Sequence, residues 1–411
     1  MQYRLMASTG DRLSVLGYGT MRLPERGGRI DEARATRQIR SAIDRGVNYV
    51  DTAVPYHLGA AEPFLARALA DGYRQKVHLA TKLPHWHVRE PSDLEAALAG
   101  QLSRLGTDRI DYYLVHNLSA GAWERLKPLG IREFLSAAKS AGRIGHIGFS
   151  SHCGREDFQR ILDDFSWEFC QIQLNILDEE MQAGVAGMEY AASRGVGVIV
   201  MEPLRGGGLA LASAPSVRAL WESAETHRSP AEWALRWVWD RPEVSVALSG
   251  MNVEEHIEEN IRVASEALPR SLSVAEHELI HRVRDAWRAL LKVGCTGCRY
   301  CMPCPHGVDI PGCFHAWNTA HMEGVRVIGS SAITYLTTVG GAFSRVPPGF
   351  ASRCRQCGKC VSRCPQHIDI PEALALVRRE MEGPMFPLMK VAVGAYQRLD
   401  RRRSVRKSRR A

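Results

Sequence analysis

The chain of 411 residues has no run of about 18 or more apolar residues, so a membrane-spanning helix is not expected. Its first residues, Met1-Gln2-Tyr3-Arg4-Leu5, lack the basic and apolar stretches of a secretory signal. Cysteine is scarce over the first 294 residues, where only Cys153 and Cys170 occur; the other nine lie between 295 and 364. A secreted disulfide scaffold is small and cysteine-dense throughout. This distribution points instead to a reducing, cytoplasmic setting with metal in the C-terminal part. Net positive charge is also scarce outside one segment. Residues 398 to 410 hold eight basic residues against Asp400, which accounts for all but one unit of the formal net charge of +8. The near-neutral body gives no reason to expect nucleic acid as a partner. The glycine fingerprint of a doubly wound dinucleotide fold is missing too. Gly17-Tyr18-Gly19-Thr20-Met21-Arg22 lacks the third glycine, and Gly206-Gly207-Gly208 has the wrong spacing.

What is present is an alternation. Tyr3 to Met6 and Leu13 to Leu16 read as a hairpin, followed by a strand near Leu16 to Gly19. Helix Asp31 to Arg45, with Ala35, Ile39, Ala42 and Ile43 on one face, stops at Gly46 and leads to strand Val47 to Asp51. The unit then repeats. Helix Glu62 to Ala70 precedes strand Val77 to Thr81, and a helix opened by a Ser92/Glu95 capping box precedes strand Ile110 to Val115. Further helices at Ile131 to Ala141, Arg155 to Leu162 and Glu179 to Ser193 lead to strands His146 to Phe149, Phe169 to Gln173 and Val196 to Met201. Ser229-Pro230 caps a helix carrying Trp233, Trp237 and Trp239, before strand Val244 to Leu248; Asn252 and Glu255 cap a last helix. Eight apolar strands separated by amphipathic helices predict a parallel α/β structure, the (β/α)₈ TIM barrel, over residues 1–285.

Barrel chemistry sits at the C-terminal strand ends. Asp51, with Tyr56 just beyond it, ends strand 2; Lys82 ends strand 3; His116 ends strand 4. A carbonyl that accepts hydride develops negative charge on oxygen and needs a proton donor there. Tyr56 suits the acid, Lys82 a cation that lowers the phenol's pKa, Asp51 the carboxylate that holds Lys82, and His116 the group that orients the substrate. His85-Trp86-His87 has a ligand-like spacing but no third ligand, and reads as lining of the substrate mouth. Cys153 and Cys170 read as inert thiols.

These residues carry a family resemblance. Val15-Leu16-Gly17-Tyr18-Gly19-Thr20-Met21, Val50-Asp51-Thr52-Ala53-Val54-Pro55-Tyr56, Ala80-Thr81-Lys82 and Leu114-Val115-His116-Asn117 resemble the aldo-keto reductases. So do Ile147-Gly148-Phe149-Ser150-Ser151-His152, Gln171-Ile172-Gln173-Leu174-Asn175 and the stretch from Ser249-Gly250-Met251 to Glu259-Asn260. The resemblance implies NAD(P)H laid across the rim beside Gly19 and Thr20. Ser150 and Gln171 would hold the carboxamide, and Ser249, Gly250, Met251 and Asn260 the adenosine phosphate near a helix N-terminus. It also implies a small-molecule carbonyl or alcohol substrate. Two departures stand out: Ser151 where many members have Asn, and a loop Gly250-Met251-Asn252-Val253-Glu254-Glu255 with two acids and no base, which leaves NAD against NADP open.

The C-terminal cysteines form an internal repeat. Cys295, Cys298, Cys301 and Cys304-Pro305 answer to Cys354, Cys357, Cys360 and Cys364-Pro365, and His306-Gly307-Val308-Asp309-Ile310-Pro311 answers to Gln366-His367-Ile368-Asp369-Ile370-Pro371. Three cysteines at period three with a distant Cys-Pro wrap a cubane; zinc does not ask for three in a row. Residues 286–383 resemble a two-cluster ferredoxin, as carried by a subgroup of aldo-keto reductases. That implies a small, mainly helical domain with two [4Fe-4S] clusters. By the resemblance, one has Cys295, Cys298, Cys301 and Cys364, and the other Cys354, Cys357, Cys360 and Cys304; Cys313 is spare and structural. No flavin motif is evident, yet hydride moves two electrons and a cubane one, which calls for a flavoprotein or ferredoxin partner. A rival reading makes the barrel a binding scaffold for an electron-transfer or redox-sensing module; the complete four-residue set weighs against it. In residues 384–411 the apolar stretch Met385 to Val393 and the basic run suit either a membrane-surface contact or, as the favoured reading, a packed helix with a solvated end.

Overall fold

The alternation closes on itself. The computed structural model describes residues 1–210, 214–322, 335–336, 339–340, 348–384 and 386–389. These fall into two compact units, Met1–Leu211 with Thr226–His281, and Ala212–Glu225 with Arg282–Ala411. The basic run at 398–410 and the stretch 390–393 lie outside the described residues. Among the described residues no helix is long and apolar enough to cross a membrane.

In the first unit a hairpin of β1 (Tyr3–Met6) and β2 (Asp11–Ser14) precedes β3 (Leu16–Gly19), and a short hairpin of β4 (Glu25–Arg26) and β5 (Arg29–Ile30) follows. Then come β6 (Tyr49–Asp51), β7 (His78–Leu83), β8 (Ile110–Val115), β9 (Ile144–Ser151), β10 (Phe169–Gln173), β11 (Gly197–Met201) and β12 (Val244–Ser249). Strands β3 and β6 to β12 make a closed parallel barrel of eight, with β12 paired back to β3. The helices of this unit are α1 (Glu32–Asp44), α2 (Ala61–Ala68), α3 (Pro91–Leu105), α4 (Ala120–Leu126), α5 (Ile131–Ser140), α6 (Arg155–Asp163), α7 (Gly184–Ser193), α9 (Pro230–Trp239) and α10 (Glu254–Glu266); α8 (Pro215–Glu222) belongs to the second unit, and α11 (Val274–Leu290) runs from the first into the second. Met6 and Leu13 of the first hairpin join Tyr49, Tyr112, Phe169, Ile199 and Val246 in one core. The barrel is therefore filled, as side-chain layers require. Asp11 on that hairpin accepts from Tyr112 OH at 2.8 Å and lies 3.5 Å from His78, the first residue of β7. The hairpin thus closes the N-terminal mouth and leaves the chemistry to the other one.

Three expected helix starts move. Helix α3 begins at Pro91, not at a Ser92/Glu95 box. Proline suits a first helical position, and the Asp93 carboxylate takes the N–H groups of Arg89 and Glu90 at 2.7 and 3.0 Å. Ser92 instead donates to Glu90, and Glu95 pairs with Arg143. Helix α10 starts after Val253, because the Asn252 carbonyl already accepts Gln38 Nε2 at 3.2 Å. Helix α7 starts at Gly184 rather than Glu179. Gly184 has φ +59°, and a Cβ there would lie 2.4 Å from the Glu179 carbonyl oxygen, so the chain turns before it can wind. Trp233, Trp237 and Trp239 of α9 are all fully buried.

In the second unit, α12 (Ile310–Met322) and α13 (Ile370–Met381) pack around Phe314, Trp317, Tyr335, Phe350, Leu374 and Val377. Both helices are led in alike: Asp309 Oδ1 accepts Gly312 N–H at 3.4 Å, and Asp369 Oδ1 accepts Glu372 N–H at 3.2 Å. Positive φ recurs at matching positions of the two halves: Gly297 and Gln356, Arg299 and Gly358, Gly307 and His367. The sequence repeat is thus a backbone repeat.

One buried polar knot braces the open mouth from behind. Glu62 on α2 accepts from Thr81 Oγ1 (2.7 Å), Gln101 Nε2 (3.1 Å) and Arg104 Nε (2.7 Å), while Gln101 also donates to the Lys82 carbonyl at 3.0 Å and accepts from Tyr113 OH at 2.8 Å. Replacing Glu62 by Leu strands several buried donors. The expected result is a loss of roughly 2–4 kcal/mol in urea unfolding, seen as a lower midpoint at unchanged slope. An unaltered midpoint would show that the knot does not hold α2 and α3 to the barrel.

Candidate active site

The C-terminal mouth brings together the four residues expected there. Asp51 is the last residue of β6, Lys82 lies next to the end of β7, and His116 follows β8; Tyr56 opens the single turn Tyr56–Gly59 after β6. Lys82 Nζ donates to Asp51 Oδ1 and Oδ2 at 2.7 and 2.8 Å and to the Thr52 carbonyl at 2.9 Å. It also lies 3.4 Å from Tyr56 OH. The Tyr56 and His116 rings stand edge to face at 6.4 Å, and Trp86, partly exposed, lies 5.1 Å from the His116 ring. Lys82, Asp51 and His116 are buried, and Tyr56 is half-buried.

The electrostatics depart from one expectation. An ammonium has three donors, and all three have acceptors in Asp51 and Thr52. Lys82 Nζ also donates to Tyr56 OH at 3.4 Å, the longest of its four contacts, so only a shared N–H reaches the phenol. Burial holds Tyr56 well above the usual phenol range, and the carboxylates of Asp51 and Glu202 add to it. The expected lowering by Lys82 is not found, because Asp51 takes up that charge. Burial also raises the Asp51 carboxyl and lowers the Lys82 amine, each opposed by attraction to the other. Burial, with Lys82, His85 and His152 adding, holds His116 well below the usual imidazole range, so its ring is neutral at neutral pH. Glu202, just past β11 at φ +56°, was not singled out in the sequence. Its signal was the one used elsewhere, a polar residue at a strand end.

Of the residues implied for a nicotinamide cofactor, Ser150 and Gln171 are register neighbours across β9 and β10. Ser150 Oγ accepts the Asn117 N–H at 2.8 Å, which leaves its hydroxyl to donate. Gln171 Oε1 is buried with no donor among the described residues. A hydroxyl donor beside an unsatisfied amide acceptor fits a carboxamide. Ser249, Gly250, Met251 and Asn260 form one knot: Asn260 Nδ2 donates to Ser249 Oγ at 2.9 Å and contacts Met251 Sδ at 3.6 Å, while Tyr18 OH donates to the Met251 carbonyl at 3.0 Å. Asn260 shapes this loop from inside. Gly19 runs beside the Ser249 backbone, and Thr20 donates its hydroxyl to the Asp51 carbonyl at 3.0 Å. Two cations approach the loop. Arg34 is held by both oxygens of Glu254, and the Arg22 side chain lies against Gly250.

The histidines of the mouth are used within the fold. His85 Nδ1 meets Arg125 at 3.1 Å, and burial lowers this ring to about 4. Burial pushes the Cys153 thiol up to about 11 and holds Cys170 higher still. Cys313 is buried on α12, 3.4 Å from the Gly349 carbonyl.

In the second unit the thiols of the two repeats lie near one another. Burial pushes the Cys301 thiol up to about 12, and Cys295, Cys298 and Cys364 add to it. Cys360 is raised by burial, with Cys354, Cys304 and Cys357 adding. A cavity of about 360 Å³ is lined by Cys304, Cys354, Cys357 and Cys360 along with Cys301. The first thiol of each half accepts a matching backbone N–H, Gly297 to Cys295 and Gln356 to Cys354, both at 3.4 Å. Among the described residues no group of three or more His, Cys, Asp or Glu is placed to hold a single metal ion. The room between the five thiols that line this cavity is of the kind a cubane would need.

Known proteins agree with both halves. Residues 15–275 match the model of the aldo/keto reductase family, and residues 294–368 match that of a 4Fe-4S dicluster domain. The chain is 26% identical over 314 residues to an uncharacterized oxidoreductase of Bacillus subtilis, covering 66% of this chain and 94% of that protein. It is 24% identical over 331 residues to the NADH-specific methylglyoxal reductase of Escherichia coli, covering 68% of this chain and 98% of that one. Among solved structures, the holo form of an aldo-keto reductase from Bacillus halodurans aligns with a TM-score of 0.57 at 26% identity, covering 69% of this chain and 96% of that one. With its barrel matched from residue 15 to 275, the chain belongs to the aldo/keto reductase family and is an oxidoreductase, extended at its C-terminal side by an iron–sulfur dicluster domain.

Proposed function

We propose that the barrel reduces a small-molecule carbonyl, or oxidises the matching alcohol, with Tyr56 as the proton donor. We propose also that the C-terminal module holds two [4Fe-4S] clusters that exchange electrons with a flavoprotein or ferredoxin. The observation that supports the first part is the placement of Lys82 Nζ between the Asp51 carboxylate and the Tyr56 phenol, with neutral His116 edge to face with the Tyr56 ring. Bound nicotinamide dinucleotide supplies the hydride, with Ser150 and Gln171 holding its carboxamide. As charge develops on the carbonyl oxygen, Tyr56 gives up its proton to it. An N–H of Lys82 can then turn from the Thr52 carbonyl to the phenolate 3.4 Å away. Lys82 in this reading stabilises the phenolate once it forms. His116 donates to the substrate oxygen and orients it, and Asp51 keeps Lys82 charged.

In the second part the crossed neighbours of Cys301 and Cys360 support one cluster on Cys295, Cys298, Cys301 and Cys364 and the other on Cys354, Cys357, Cys360 and Cys304. Bound clusters supply one-electron transfer.

Tyr56→Phe is expected to lower carbonyl turnover by about 10²- to 10⁴-fold while nicotinamide binding, followed by fluorescence quenching, persists. Unchanged turnover would end the assignment of the acid. The proton donor acts while protonated, so a raised phenol pKa extends activity upward. Turnover in the reductive direction should show no alkaline loss traceable to Tyr56 below about pH 10; a loss centred well below that, and absent in a slow Tyr56→Phe background, would contradict the raised value. For the clusters, Cys304→Ser and Cys357→Ser should each halve the iron content and leave the same surviving paramagnetic signal, while Cys364→Ser leaves the other one. Cys304→Ser keeping the signal that Cys357→Ser removes, or Cys364→Ser losing that signal, would refute the crossing.

A further inference from the structure

The two halves of the cysteine repeat share a backbone, but they differ in charge. In the first half the one cation of the cysteine loop, Arg299, is paired with Asp309 at 3.5 Å. Neither residues 291–308 nor their counterparts 350–368 include Asp or Glu, but the second stretch carries Arg353, Arg355, Lys359 and Arg363 against Lys292 and Arg299 of the first. Arg353 is committed to the backbone carbonyls of His306 and Pro348 at 3.2 and 2.8 Å. Arg355, Lys359 and Arg363 are exposed, line the cavity of Cys304, Cys354, Cys357 and Cys360, and have no ion-pair partner among the described residues. Cys357 on this rim is exposed. Three unneutralised cations thus ring the redox cavity that is open to solvent.

We infer that this rim is the docking face for a small acidic protein carrying a one-electron centre, and that electrons pass between that carrier and the cluster of the second half. The inference rests on the reading that these four thiols hold a cluster. Electron transfer falls steeply with distance, so a partner must seat against an exposed edge of the centre. Here that edge is framed by cations. An acidic carrier is drawn to such a rim at long range and oriented by it, which raises the association rate. Nucleic acid fits less well, because no Phe, Tyr or Trp lines the cavity to stack on bases. A lipid surface fits less well because it offers no electrons. In the transfer the carrier's centre is oxidised by one electron and the cluster reduced by one, or the reverse; no bond is made or broken.

The test uses the full chain with clusters loaded anaerobically and a reduced plant-type [2Fe-2S] ferredoxin, an acidic carrier, as the probe. Bleaching of the cluster absorbance is followed by stopped flow. The rate should fall steeply as salt rises past about 0.1 M, where the screening length shrinks to about 10 Å. Reversing Arg355, Lys359 and Arg363 to Glu together should slow it about tenfold to a hundredfold at low salt. Reduction by methyl viologen radical, a small cation, should not slow. The same reversal should abolish binding of oxidised ferredoxin in calorimetry. Neutral Gln replacements, with iron and sulfide counted, guard against a reversal that fails to load. A ferredoxin rate indifferent to salt and to both sets of variants overturns the inference while leaving the clusters in place. Variants that lose only binding to anionic lipid vesicles or nucleic acid overturn it as well. A wild-type chain that loads no iron overturns the cluster reading itself, and this inference with it.

Discussion

Lys82 and Asp51 form an ion pair with almost no solvent contact, and the barrel around them is arranged so that the pair can exist. Desolvating two charges costs several kcal/mol, and attraction repays it only where geometry is good and every remaining donor is satisfied. Both conditions hold. The contact is bidentate, and the third N–H reaches the Thr52 carbonyl. The backbone on each side is held in turn: the Asp51 carbonyl by Thr20, and the Lys82 carbonyl by Gln101 from the Glu62 knot. Register does the rest, because Asp51 pairs with Ala80 and so lies two residues before Lys82 on the next strand. A half-pair would be a lone buried charge, so this site tolerates neither partner without the other.

The second unit meets the opposite problem. It is small, its described core centres on two helices, and five of its thiols line one cavity. Apolar burial alone supports little in a unit of this kind, and metal coordination couples folding to loading. The left-handed positions repeated in both loops aim the cysteines inward, and capping by Asp309 and Asp369 starts each helix where its loop ends.

The barrel was legible because its units repeat. Strand Phe169–Gln173 falls where periodicity placed it, and the helix with three tryptophans is buried as its pattern implied. Helix starts were less legible. Glu90 and Asp93 compete with Ser92 and Glu95 as cap residues, and only Pro91 decides between them. At the site, residue types and strand ends were enough to assemble Asp51, Tyr56, Lys82 and His116, because a barrel brings all strand ends to one rim. The state of the phenol was not readable. It depends on where three N–H groups point and on Glu202 arriving from the far side of the sequence. Helices such as Ala120–Leu126 and Val274–Leu290 were missed because nothing in the strand count required them.

The proposed crossing of the thiol sets bears on how this unit would be made and lost. Cys364 acts on a thiol of the first loop and Cys304 on one of the second. On the proposed ligation each half lends its last cysteine to the other, as two links of a clasp. Assembly would then be mutual, the first loop waiting on the second as far as Cys364. Damage would be mutual too: an oxidant acting at the exposed Cys357 would release Cys304 as well, close before the helix at Ile310. On that ligation the unit would respond to oxygen as one cooperative object, although its sequence reads as two.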